Sequence, residues 1–217
     1  MATATPNSAL RVIVADDEPF TASLVSGGLQ AQGFTVFSAS TIEEAWNLVE
    51  SKDPHALVSD LNFGNGESGA VLLRRVHDEF PWVGLVVLTS HHSPQLAVED
   101  PTEIPKTAVY LVKSGLQRVE DLAEAVHKAI GGQVQNLGRD EPVEGMIRIT
   151  AAQAEVLRML ANGASTRALA EHRGTTVRAA ETMLGRLYTA LGLGSDDLSN
   201  PRVAAVQLWQ QGRIVVR

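Results

Sequence analysis

Five short apolar segments, four of them followed directly by a polar residue and most by an amphipathic stretch, limit what the first half of this chain can become. Arg11–Ala15, Phe34–Ser38, His55–Ser59, Val83–Leu88 and Ala108–Val112 have the length of strands. Val83–Leu88 is solidly apolar, as strands covered on both faces are. Between them, Glu18–Gln32, Thr41 to about Ser51, Ser68–Phe80 and Gln117–Ile130 carry helical spacing. Thr41-Ile-Glu-Glu44 has the form of a capping box, in which the threonine oxygen and the Glu44 carboxylate each take an otherwise unpaired amide. The alternation predicts a five-stranded parallel sheet with helices on both faces. The fourth helix breaks the rhythm. Pro94, Pro101 and Pro105 crowd its place, and proline removes an amide donor and clashes inside a helix. Only Pro94–Asp100 is left for a short helix, with an irregular segment after it.

Gly131-Gly132 ends this pattern. Residues 132–146, with Gly, Gln, Asn, Asp, Glu and Pro, predict a linker. Beyond it the spacing is all helical: Thr150 to Asn162, Ser165–Arg173, Thr175 or Thr176 to Leu191, and a last helix opened by Asn200-Pro201 and closed by Gly212. The predicted organisation is a tail over 1–8, an α/β domain over 9–131, a linker over 132–146, a helical domain over 147–212 and a tail over 213–217.

Charge divides the chain in the same place. Residues 1–138 hold 8 Lys and Arg against 17 Asp and Glu, whereas residues 145–217 hold 9 Arg, no Lys and 5 acids. The front suits a cation and the back a polyanion. The absence of cysteine excludes disulfides, thiolate metal sites and a cysteine nucleophile. No apolar run approaches the ~18 residues of a membrane span. Met1 to Ala9 lacks the basic residue and apolar core of a signal peptide. The expected location is cytoplasmic, with no membrane partner.

Chemistry collects at the strand ends. Asp16 and Asp17 follow the first strand, Asp60 the third, Thr89 the fourth and Lys113 the fifth. In an open parallel sheet these ends share one edge, and a ligand binds where strand order reverses. In the order 2-1-3-4-5 that point lies between the first and third strands, where the three aspartates would meet. Three carboxylates in a small volume disfavour one another's ionisation, and a hard cation such as Mg²⁺ relieves this. With the Thr89 hydroxyl and the Lys113 ammonium, the group forms a site for a phosphoryl moiety. His91-His92 is a poor chelating pair, because vicinal side chains point apart.

Val12-Ile-Val-Ala-Asp-Asp-Glu-Pro19, Leu57-Val-Ser-Asp-Leu61, Val86-Val-Leu-Thr-Ser90 and Tyr110-Leu-Val-Lys113 resemble the landmarks of a response-regulator receiver domain. The resemblance implies a (βα)₅ flavodoxin-like fold in which Asp60 accepts a phosphoryl group from a histidine kinase. It implies Mg²⁺ held by Asp16, Asp17, Asp60 and the backbone carbonyl of Asn62. Thr89 and Lys113 would contact phosphoryl oxygens, Tyr110 would swing inward on activation, and His91 would line the approach. The segment Phe63-Gly-Asn-Gly-Glu-Ser-Gly69 departs from the family: glycine replaces the usual proline and one residue is added.

In the back half, Ala180, Leu184, Leu187 and Leu191 form one apolar face, opposite Arg178, Glu181, Thr182, Gly185 and Arg186. Ile149–Leu157, Gly163–Glu171 and Arg186–Gly192 resemble the NarL/LuxR-type helix-turn-helix domain. That resemblance implies a four-helix output domain on double-stranded DNA, with Arg167, Thr176, Arg178, Glu181, Thr182 and Arg186 facing it. It also implies Glu155 as a structural acid and a homodimer on activation. Glu181 and Gly185 stand where the family usually has basic residues, so an output domain that binds a protein partner stays open. Trp209 either serves a dimer or covers the domain core. The chain is expected to be a phosphorylation-dependent transcription regulator and not an enzyme, its substrate being its own side chain. Asp60-Leu-Asn62 lacks the second carboxylate that an aspartyl-phosphate hydrolase would use.

Overall fold

The computed structural model describes residues 9–64, 68–116, 118–132, 145–194 and 200–217. The predicted tail 1–8, residues 133–144 of the predicted linker, residues 65–67 of the glycine-rich loop and Gln117 lie outside the described residues. The chain divides into two compact units. One holds the described residues through Thr89 and those from Thr102 to 132; the other holds Ser90–Pro101 and those from 145 onward.

The first unit is the predicted parallel sheet. Its strands are β1 (Arg11–Ala15), β2 (Thr35–Ala39), β3 (Ala56–Ser59), β4 (Gly84–Thr89) and β5 (Val109–Val112), in the order β2-β1-β3-β4-β5. The helices are α1 (Pro19–Ala31), α2 (Ile42–Lys52), α3 (Gly69–Glu79) and, after the short α4 (Pro94–Ala97) of the second unit, α5 (Val119–Ile130). Strand residues alternate between faces. Val12, Val14, Val58, Val86, Leu88, Val109 and Leu111 pack with Val25 and Leu29 of α1 and Leu122 and Val126 of α5. The intervening Ile13, Leu57 and Leu85 point the other way and are also buried. Covering both faces is what makes these strands almost wholly apolar. The Thr41 cap forms, but Glu44 reaches one residue further back than a standard capping box, to the Ser40 amide at 2.8 Å.

The second unit contains β6 (Ile147–Ile149), α6 (Ala151–Ala161), α7 (Thr166–His172), α8 (Val177–Ala190), α9 (Pro201–Gln210) and β7 (Ile214–Val216). Thr150, Ser165, Thr176 and Asn200 each accept an amide hydrogen at their helix start, so the predicted boundaries hold. Two expectations change. The unit is not all helical, and residues 213–217 are not a tail. Ile147, Arg148 and Ile149 pair in parallel with Ile214, Val215 and Val216. Three-residue strands are too short to show a period, and their pairing is non-local.

The proline-rich segment also differs from expectation. α4 ends at Ala97 rather than reaching Asp100, and Val98 is extended. The residue before a proline is pushed out of the helical region, which bars continuation into Pro101. A 3₁₀ turn over Pro101–Glu103 follows. Leu96 is buried in the second unit's core with Ile149, Leu157, Leu160, Leu169 and Leu187. Among the described residues no helix is long and apolar enough to cross a membrane.

Gly84 shows how closely α5 lies on the sheet. A Cβ there would stand 2.6 Å from the Ala129 carbonyl carbon and the Ile130 nitrogen, both backbone atoms that cannot turn aside. Gly84→Ala is expected to destabilise the first unit by about 1–3 kcal/mol, read as an earlier transition in chemical denaturation followed by circular dichroism.

Candidate functional site

The sheet brings the predicted acidic residues together. β1 and β3 are neighbours in register, Ala15 opposite Ser59, so Asp16 and Asp60 leave the same edge side by side. One carboxylate oxygen from each of Asp16, Asp17 and Asp60 lies within 4.8 Å of the others. β5 ends beside β4, with Val112 opposite Thr89, and delivers Lys113 to the same edge. The Lys113 ammonium donates to Asp60 Oδ2 at 2.8 Å and to Asp16 Oδ2 at 3.0 Å.

Backbone amides fix the remaining oxygens. Leu61 N–H donates to Asp60 Oδ1 at 2.6 Å, and Glu18 N–H to Asp16 Oδ1 at 2.9 Å. Gly64 N–H donates to Asp17 Oδ2 at 2.6 Å, so the loop after β3 folds back over the acids. Gly69 closes that loop against the Asp60 carbonyl so tightly that any Cβ would collide with it. Asn62 bridges to Ser68 across the same loop.

The electrostatics follow from burial. Burial raises the Asp60 pKa above the usual carboxylate value; Lys113 pulls it down and Asp16 adds to the rise. Burial alone would lower the Lys113 pKa, but Asp60 and Asp16 outweigh it and hold the ammonium above its ordinary value. The oxygen-only donor set of three carboxylates fits a hard divalent ion such as Mg²⁺. Thr89 is fully buried at the end of β4, and Tyr110 is 3% exposed.

His91 belongs to the second unit. It is buried there, its ring centroid 4.4 Å from that of Trp209. Burial, with His92 beside it, pushes its pKa down to about 4, so the imidazole is neutral at neutral pH.

In the second unit the predicted apolar stripe is the buried face of α8: Ala180, Leu184, Leu187 and the following Leu191. Arg178, Glu181, Thr182, Gly185 and Arg186 are exposed on the opposite side. Two predicted contact residues are already engaged locally. The Thr176 hydroxyl accepts from Ala179 N–H as the helix cap, and the Thr182 hydroxyl donates to the Arg178 carbonyl at 3.0 Å. Arg167 pairs with Glu171 one turn on. An exposed pair at this spacing contributes only about 0.3–0.5 kcal/mol, so the guanidinium is easily diverted. Glu155 holds Arg173 at 2.9 Å and His172 at 3.2 Å, fixing α6 to the end of α7.

Residues 12–104 match the response regulator receiver domain. The matched residues include Asp16, Asp17 and Asp60 of the acid cluster and the first four strands of the sheet. Solved structures extend the likeness of fold. RcsB from Salmonella enterica serovar Typhimurium, solved bound to promoter rprA with the phosphomimetic BeF3-, is 20% identical with a TM-score of 0.56, over 92% of this chain and 98% of that one. A structure of two RcsB dimers bound to two parallel DNAs is 20% identical with a TM-score of 0.54, over 94% and 99%. A CheY-like receiver protein from Methanospirillum hungatei JF-1 is 21% identical with a TM-score of 0.50, over 58% and 97%. No curated protein sequence matches the chain.

Three contacts of the first unit were not legible in advance. The Gly64 amide and the Gly69 approach depend on how the loop turns, which the residue types alone do not specify. The reach of Lys113 to Asp16 as well as Asp60 depends on the β1–β3 pairing. In the helical unit, Trp209 covers the core. The signal for that was its neighbourhood of apolar residues, which suited a dimer face equally well.

Because folding raises the Asp60 pKa above 3.8, the folded chain binds that proton more tightly than the unfolded one. The stability linked to the proton is present at low pH and lost as pH rises through the folded value. Asp60→Asn is expected to raise the first unit's melting temperature at neutral pH, with the gain shrinking toward pH 3.8. Mg²⁺ should raise the melting temperature of the native chain and leave the variant nearly unchanged.

Proposed function

We propose that this chain is a NarL/LuxR-type response regulator whose receiver accepts a phosphoryl group on Asp60 and switches a DNA-binding output unit. The observation that carries the receiver half is the Asp16–Asp17–Asp60 cluster with the Lys113 ammonium 2.8 Å from Asp60. Asp60 attacks the phosphorus of a phosphohistidine on a sensor kinase. A P–O bond forms, the P–N bond breaks, and its electron pair returns to the histidine ring. Bound Mg²⁺ would neutralise the phosphoryl oxygens, held by Asp16, Asp17, Asp60 and the Asn62 backbone carbonyl. Lys113 shifts its hydrogen bond from carboxylate to phosphoryl oxygen, and the Thr89 hydroxyl supplies another. Tyr110 follows Thr89, shifting a pre-existing equilibrium of the receiver. The chain acts on its own side chain and is not an enzyme in the usual sense. Its proposed compartment is the cytoplasm.

The output half rests on the exposed face of α8 and on the fold shared with RcsB structures solved on DNA. α7 braces the duplex while α8 enters the major groove, where Arg178 and Arg186 reach bases or phosphates. Arg167 contacts phosphate, Thr176 and Thr182 lie at the rim, and Glu181 accepts from a cytosine amine. Activation yields a homodimer. The exposed Glu181 and the side-chain-free Gly185 also favour a second reading, an output unit that binds a protein partner.

Fluorescence anisotropy on a pool of labelled duplexes, across a salt series, separates the two. Salt-sensitive binding that strengthens with a small phosphodonor and Mg²⁺, and does not strengthen in Asp60→Asn, is the expected result. Salt-insensitive or absent binding in both states assigns the output to a protein partner. Glu181→Lys should tighten binding and steepen the log–log salt slope by about 1, because one phosphate contact is gained.

A further inference from the structure

Residues 90–101 lie between β4 and β5 in the chain, yet they pack as part of the helical unit. α4 is a single turn and has no stability of its own. Leu96 is 1% exposed within the core built from α6, α7 and α8. The Trp209 indole N–H donates to the Leu96 carbonyl at 3.2 Å, and the Trp209 ring lies against His91. Val216 N–H, in β7, donates to Ser93 Oγ at 2.9 Å. Gly212, at φ 64°, admits the Ser90 carbonyl where a Cβ would collide with it.

Both ends of the segment are fixed elsewhere. Thr89 is the last residue of β4, paired with Val112. The Thr102 carbonyl accepts from the Arg74 guanidinium of α3 at 2.9 Å. Only Ser90 separates Thr89 from His91, a span of at most about 7 Å of extended chain. No slack is available to absorb a movement of Thr89. Pro101 and Pro105 stiffen the returning limb.

We infer that residues 90–101 are a strap, an integral part of the helical unit's core that passes a displacement of Thr89 directly to Trp209, Leu96 and β7. The passage of signal rests on the phosphoryl-acceptor role of Asp60; the structural membership of the strap does not. A close-packed core repacks between discrete arrangements rather than deforming continuously. Movement at Thr89 is therefore read as the strap seated or released. Release uncovers Leu96 and Trp209 and frees β7. The output unit is thus completed by a segment of the receiver sequence, and the helix expected between β4 and β5 is replaced by a tether.

Hydrogen exchange with mass spectrometry on the full chain tests both halves. In Leu96→Ala, amides of residues 149–160 and 205–217 should exchange at least about tenfold faster, while those of β1 and β3 keep their rates. Complete loss of protection in the helical unit with β1 and β3 intact gives the same answer. Ser93→Ala removes one hydrogen bond and no core volume, and should speed exchange at β7 alone. Unchanged exchange in the helical unit of both variants overturns the strap. Acetyl phosphate with Mg²⁺ tests transmission, with intact mass reporting phosphoryl addition. Phosphoryl addition that alters exchange over 91–98 and 205–217 supports it. Phosphoryl addition with those peptides unchanged overturns transmission and leaves the acceptor role standing. No addition overturns the acceptor role, and the two variants then decide whether the strap exists.

Discussion

Two adjacent parallel strands place three carboxylates at one edge, and the ammonium of Lys113 is what makes that arrangement tenable. Asp16 and Asp60 lie side by side because β1 and β3 are paired in register, and both accept from the same Nζ. The rest of the first unit serves this contact. β5 must end where Lys113 can turn inward, and the loop after β3 must return an amide to Asp17. Gly69 must lack a side chain, because the loop closes onto the Asp60 carbonyl. The cluster stabilises no fold by itself: burial opposes the ionised Asp60. The oxygen donors of this cluster suit a hard cation.

Prolines divert the fourth βα unit from the usual pattern. A full helix after β4 would pack on the sheet beside α3 and α5. Pro101 and Pro105 prevent that helix, and a one-turn α4 leaves Leu96 and Pro94 as compact apolar groups. They are buried in the helical unit, where Trp209 and the short β6–β7 pair meet them. The same three residues of β7 that close the helical unit also hold Ser93. The energetic consequence is a core whose completeness depends on the chain just beyond Thr89.

Surface chemistry in the helical unit is less committed. The buried stripe of α8 is continuous, and four side-chain caps set its helices. The opposite face carries two arginines, one glutamate and a glycine. In the proposed DNA-binding reading, two arginines on this face give a shallow salt dependence, and Glu181 would bear on specificity.

Local rules alone determined most of the architecture. Apolar runs of strand length, caps such as Thr41, Thr150 and Asn200, and the strand-end positions of Asp16, Asp17, Asp60, Thr89 and Lys113 are written in neighbouring residues. Each element is therefore legible without its partners. The site could be inferred because a parallel sheet gathers its strand ends whatever the loops do. Tertiary structure alone decided what depends on distant pairing. Ile147–Ile149 and Ile214–Val216 are strands only because they meet. Trp209 packs on a core because the Leu96 carbonyl and His91 are there to receive it. The residues from Ser90 to Pro101 read as a broken receiver helix, and their membership of the other unit rests on contacts with residues more than a hundred positions away, which no local period encodes.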